Sequence, residues 1–297
     1  LGIFTKKGNV MNTRRRFRRF FIFLPVAFLA ATLGCDQSTP SGSSANTRSD
    51  PPAAKTPAPA PAPSAAATSD RPSRPAASDV KPASGTAALV GVVRFNGEPP
   101  KRKPINFGPE KKCHEGHEGN PPLDETLVVS SNREVQWVTV RIAGKVPGNF
   151  APPTQPAVLD QKGCVFLPHV LTVMSGQAIE VRNSDPVLHN VRCEATLNPG
   201  FNRNLPKPGD AMTVKFDTPE MGLKLKCDVH FWMAGVIHVM PHPFFAVTGA
   251  DGTFTINNVP PGTHKLEAWH EKLGKLTQDV TVKEGESKTV EFVFNPK

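Results

Sequence analysis

From Leu89 onward the sequence lacks any long stretch in which apolar residues recur every 3.6 positions, which excludes a core built from amphipathic helices. No Ser-His-Asp set, pair of carboxylates or phosphate loop stands out, so nothing in the residues argues for an enzyme. The C-x-x-C-H pattern of covalent haem attachment is absent. Residues 1–35 contain no Asp or Glu but hold 7 of the 35 Lys+Arg. The remaining chain therefore carries 28 basic against 26 acidic residues, a net of +2. A charge that small supplies no electrostatic reason to expect nucleic acid as a partner.

What the first 35 residues do contain is a targeting pattern. From Met11, read as the true start, a basic "MNTRRRFRRF" precedes the uncharged "FIFLPVAFLAATLG". The apolar run is too short to span a bilayer comfortably and fits the h-region of a signal peptide. "TRRRFRR" resembles a twin-arginine export signal, and a merely basic n-region produces the same pattern. Gly34-Cys35 resembles a lipoprotein cleavage site, which implies lipidation of Cys35 and a membrane anchor; Thr32 and Leu33 depart from the usual residues. The expectation is an exported protein, periplasmic or at the cell surface. Residues 36–85 are dominated by Pro, Ala, Ser and Thr, too poor in large apolar groups to bury a core, and read as a disordered tether.

The remaining residues read as strands. Short alternating or β-branched runs such as "LVGVVRF", "VQWVTVRI", "AIEVRN", "GLKLKC", "TFTIN" and "TVEFVF" recur between turn-forming "MSGQ", "NSDP", "GADG" and "VPPG". The fold class expected is all-β, in sandwiches. Within "GLKLKC", alternation places Leu223, Leu225 and Cys227 on one inward face and Lys224 and Lys226 toward solvent. His230 and Met233 follow in the next loop, so a thiol, an imidazole and a thioether converge at one end of a strand.

A mononuclear type 1 copper centre needs a Cys thiolate and two imidazoles in a near-trigonal plane, with a weak axial thioether. "CDVHFWM" supplies three of the four, leaving one imidazole to come from another strand. "FLPHVLTVMSGQAIEVRNSDPVLHNVR" resembles the middle of a cupredoxin of the plastocyanin and amicyanin group, and "TVKFDTPEMGLKLKCDVHFWMAGVIHV" its closing strands. The resemblance implies His189 as the first ligand, with Cys227, His230 and Met233 on the others, one bound copper and one-electron transfer. In that reading electrons leave through the imidazole of His230 toward a redox partner protein. Leu225 replaces the aromatic often found two residues before the Cys, and Phe231-Trp232 makes the loop bulky. The same residues also fit a sandwich without copper, in which Cys227 is a plain buried thiol. A single loop Cys rules out a dinuclear site, and a zinc site would leave the Met unused.

Of the other cysteines, Cys113 and Cys164 are expected to pair, clipping "KKCHEGHEG" onto the first cupredoxin strand, with Cys193 a buried free thiol. His114 and His117 are read as a solvated polar loop or a second metal site. His169 is read as a turn or strand residue, His238 and His242 as surface groups or ligands with equal weight, and "AWHEKLG" has no assigned chemistry.

"FFAVTGADGTFTINNVPPGTHKLEAWH" resembles a carboxypeptidase regulatory-like sandwich of the transthyretin type, a carbohydrate-binding-like fold, with Asp251-Gly252 as a hairpin turn. The family's opening motif, G-x-V-x-x-x-G-x-P, falls far upstream in "GVVRFNGEPP". The economical division is one sandwich from residues 86–155 plus 243–297, with a cupredoxin of residues 156–242 inserted; the other is two sequential domains. Phe254, Ile256, Leu266 and Phe292 are expected to share one apolar face. The arrangement resembles bacterial proteins labelled methylamine utilisation proteins. Three functions follow as expectations: a tethered electron carrier, copper storage or delivery, and surface display with glycan or protein binding. The absence of a Met or His tract weighs against the second.

Overall fold

The structure is a computed structural model describing residues 85–297. The expected signal segment 1–35, its Cys35, and all but the last residue of the tether 36–85 lie outside the described residues. The regular secondary structure of the described chain is nearly all β. Strand β1 (Ala87–Phe95) is followed by a five-residue helix α1 (Lys111–Glu115) and β2 (Thr139–Ile142). Then come β3 (Ala157–Gln161), β4 (Phe166–Leu167), β5 (Val170–Met174), β6 (Ala178–Asn183), β7 (His189–Glu194) and β8 (Phe201–Leu205). Next are β9 (Ala211–Lys215), β10 (Glu220–Lys226), β11 (Ala234–Met240) and β12 (Phe245–Val247). The last are β13 (Thr253–Val259), β14 (Gly262–His270), β15 (Gly274–Val282) and β16 (Ser287–Phe294). Among the described residues no helix is long and apolar enough to cross a membrane.

Four sheets form, with strand orders β13-β1-β16, β12-β2-β14-β15, β5-β11-β10-β7-β8 and β4-β3-β6-β9. The first two enclose one apolar core, including Leu89, Val140, Phe254, Leu266 and Phe292. The other two enclose a second, including Leu159, Ile179, Val191, Leu225 and Ile237. These are called the outer and inner sandwich, by their order along the chain. Alternation decides which residues are buried: in β16 Val290, Phe292 and Phe294 turn inward while their neighbours face solvent.

Strand β1 lies in the middle of its sheet, antiparallel to β13 and parallel to β16, so it joins residues about 160 and 200 positions away. Gly91 permits this approach. A Cβ there would stand 1.9 Å from the Val290 carbonyl oxygen and 2.7 Å from the Phe254 ring. Three sequence expectations need correction. Leu266 sits on β14 in the facing sheet, not on one face with Phe254, Ile256 and Phe292, because the Pro260-Pro261-Gly262 reversal carries the chain across the core. Asp251-Gly252 likewise joins β12 to β13 in different sheets instead of closing a hairpin. The strand expected over "VQWVTVRI" begins only at Thr139, because Trp137 adopts a φ of 64°, incompatible with extended backbone.

The sandwiches meet through side chains of β2, β5, β11 and β14. Thr139 and Thr172 hydroxyls lie 3.2 Å apart, and the His238 and Trp269 rings pack edge to face at 4.6 Å. His169 Nε2 lies 2.5 Å from the Glu271 carboxylate. "AWHEKLG" therefore contributes Trp269 and Glu271 to the contact with the inner sandwich. His238 and His242 are buried at 0% and 2% exposure, which corrects their reading as surface groups. His238 Nδ1 accepts the Gly222 N–H, and the same burial pushes its imidazole down to about 3.

Candidate metal centre

His189 opens β7, Cys227 follows the end of β10, and Met233 precedes β11. Both β7 and β11 run antiparallel to β10, so all three positions fall at the same end of one sheet. His230 lies in the tight loop between Cys227 and Met233. Its closure is written in backbone hydrogen bonds: Met233 N–H donates to His230 O at 2.9 Å, and Cys227 N–H to Met233 O at 3.4 Å.

Ligand-type atoms of His189, Cys227 and His230 all lie within 4.8 Å of one another. The two Nδ1 atoms are 2.9 Å apart, and Cys227 Sγ is 3.8 Å from His230 Nδ1. Exposures of His189, Cys227, His230 and Met233 are 0%, 3%, 1% and 1%. Burial by itself raises the Cys227 thiol. Hydrogen bonds involving His189 and His230, with the backbone N–H groups of Asn190 and His230, outweigh it and bring the group down to about 6. Burial lowers His189, yet Asp185 and Cys227 more than compensate and raise it.

Asp185 and Asn190 brace the candidate ligands from behind. Asp185 accepts His189 Nε2 at 2.8 Å and the N–H groups of Gly163 and Cys164 at 2.7 and 2.8 Å. A His189 proton held at Nε2 leaves the Nδ1 lone pair facing Cys227 and His230, the tautomer a metal requires. Asn190 accepts the Asp228 N–H through Oδ1 and donates to Asn202 and Asn204, clamping the ligand loop to β7. The donor set (one low-lying thiol, two inward Nδ1 atoms and a buried thioether on the same loop) fits a soft or borderline ion such as copper.

A cap from the outer chain covers this end. Phe107 is buried against Cys113, Cys164 and Trp232, and Cys113 and Cys164 are joined by a disulfide. Trp232 donates to Cys164 O at 3.0 Å and packs against His230 with the rings tilted by 40° and their centres 5.0 Å apart. His230 is therefore covered from solvent by Trp232. The adjacent Phe231 is 84% exposed. A cleft of about 300 Å³ lined by Lys103, Asp124, His169, Trp232 and Met233 opens beside the ligand loop.

Residues 243–290 match the family "Polysaccharide lyase family 4, domain II". No curated protein matches. Similar solved structures include a Cu-containing nitrite reductase from Thermus scotoductus SA-01, at 23% identity and TM-score 0.28 over 32% of this chain and 25% of that one. A purple cupredoxin from Nitrosopumilus maritimus matches at 22% identity and TM-score 0.25, over 28% of this chain and 99% of that one. The Cu(I) form of an amicyanin point mutant matches at 18% identity and TM-score 0.26, over 34% of this chain and 98% of that one. This chain spans about a quarter of the nitrite reductase.

The remaining candidates have other partners. His114 Nε2 lies 3.1 Å from Gly108 O and His117 Nε2 2.7 Å from Gly163 O. With Cys113 in a disulfide, the three form no metal-binding group among the described residues. Cys193 is free and buried, and burial pushes its thiol up to about 12. Asp185, Asn190 and the cap were not recognised as functional in the sequence. The D-x-x-x-H-N spacing around His189 was a signal for the first two; for the cap the signal was the expected Cys113–Cys164 pair, which the structure contains.

Proposed function

We propose that the protein is an exported, non-enzymatic mononuclear copper protein that carries single electrons, with His189, Cys227, His230 and Met233 as ligands. The observation supporting this most directly is the convergence of His189, Cys227 and His230 within 4.8 Å in a buried pocket. Copper bound there would supply reversible one-electron chemistry at a fixed position. The chain's own residues do the rest. Asp185 orients His189, the Asn190 and His230 N–H groups hold the sulfur, and the Phe107–Trp232 pair excludes water. A redox partner would approach at Phe231, since His230 is covered. Lipidation at Cys35 would tether the protein to a membrane.

The test is an optical spectrum of the copper-loaded, oxidised protein. An intense visible sulfur-to-copper band is expected, lost in Cys227→Ser and kept in Cys193→Ser. A colourless protein after loading and oxidation rejects the assignment. The match of residues 243–290 to a polysaccharide lyase domain supports a second reading, glycan binding by the outer sandwich. Binding of glycans by the metal-free protein tests it.

A further inference from the structure

The Cys113–Cys164 disulfide lies directly against the carboxylate that orients His189. Ligand-type atoms of Cys164, Asp185 and His189 lie within 4.8 Å of one another, and all three residues are buried. Cys113, its Cα 5.7 Å from that of Cys164, lines the same small cavity as Cys164 and Asp185 and supplies a second sulfur beside that group. While the bond is intact neither sulfur is a thiolate, so neither is a metal ligand. Reduced, the cluster holds two thiolates, a carboxylate and an imidazole nitrogen, a donor set suited to a four-coordinate thiophilic ion.

We propose that the dithiol form of this chain has a second metal site, built from Cys113, Cys164 and Asp185 beside His189, for an ion such as Zn(II), Cd(II) or Cu(I). The site and the disulfide compete for the same atoms. In the disulfide form Asp185 is free to hold His189 Nε2. In the metal-bound dithiol form the carboxylate turns to the ion and His189 loses its support. Conversion of the disulfide needs two electrons and two protons, supplied by a dithiol that leaves as its own disulfide; metal binding then releases the thiol protons. Cys113 and Cys164 are 1% and 2% exposed, so the site belongs to the folded chain before its cysteines are oxidised, with the cap already seated. It does not depend on copper binding at Cys227.

The experiment uses the full chain carrying Cys35→Ser, Cys193→Ser and Cys227→Ser, titrated with Cd(II) as the disulfide and after phosphine reduction. The reduced form should bind one Cd(II) with the ultraviolet sulfur-to-cadmium absorption of two thiolates, and the disulfide form should show none. Adding Cys164→Ser should abolish the absorption, and adding Asp185→Asn should weaken binding by about tenfold or more. The proposal is overturned if reduction adds no Cd(II) binding. It is equally overturned if Asp185→Asn leaves the affinity unchanged, which is also the result that bare thiols on an unfolded chain would give. The copper spectrum is recorded on the disulfide form with Cys227 intact, so the two assignments fail separately.

Discussion

The two sandwiches place their buried polar groups differently. The outer one fills its core with apolar groups, among them Val93, Phe254, Phe292 and Phe294, and its buried Thr139, Thr248, Glu267 and His270 are spread over β2, β14 and the loop after β12. The inner one has a comparable apolar middle but spends one end on Asn183, Asp185, His189, Asn190 and His230, all buried and each with hydrogen-bonding or ring partners. An apolar core stabilises through the area it removes from water. A buried polar cluster must satisfy every donor and acceptor before it stops costing stability. One sandwich is therefore specialised for holding together and the other for holding a reactive group still.

The sharpest way to break this comparison is to separate the parts. Deleting residues 156–242 across a short linker should leave a folded, soluble outer sandwich, because β1 and β2 remain to pair with β13, β16, β12 and β14. Residues 243–297 alone lose both and should be unfolded or aggregate by circular dichroism and gel filtration. A well-folded isolated fragment would show that the outer core does not need its upstream strands.

Next in size is Phe254→Ala, which should cost about 3–5 kcal/mol in denaturant unfolding, since the ring is fully buried. The visible band of copper-loaded protein should survive wherever the inner sandwich stays folded. Simultaneous loss of both signals would show that the sandwiches stand or fall together.

Acid should act where the two meet. The unfolded chain takes up a proton near the ordinary imidazole value of 6.5, whereas folded His238 refuses it down to about 3. Stability from this group is thus full above 6.5 and falls steadily between those limits. His238→Phe should flatten the acid limb of the melting-temperature profile; an unchanged limb would assign acid sensitivity to other groups. The smallest effect is Met233→Leu, a volume-conserving change costing under about 1.5 kcal/mol. It should keep copper and colour while raising the reduction potential. Loss of the metal would make Met233 a primary ligand.

The all-β class and inward Cys227 were legible because alternation is a local property of strands such as β10. The ligand loop was legible for the same reason: its residues are adjacent in sequence. Sheet membership was not. Leu266 and Phe254 both looked buried, yet which sheet each joins depends on whether the chain crosses the core at Pro260-Pro261-Gly262. Nor was the cover over His230, because Phe107 and Trp232, whose rings pack together, lie 125 residues apart in sequence. Buried histidines such as His238 were read as surface groups because burial of an imidazole depends on the partner sheet, here on Trp269.

Strand β1 is made before the inner sandwich, yet its neighbours β13 and β16 are made after it. The outer sheet therefore has to wait for the whole inner sandwich, and a long loop must close before its pairing brings any gain. The inner sandwich has all of its strands, β3 to β11, well before that moment. The cap with Phe107 and Cys113 lies between β1 and β2, so its firm seating is tied to the slower of the two assemblies. During that interval the pocket formed by His189, Cys227 and His230 stands open, and a nascent chain arrested after Met240 should take up metal faster than the finished protein.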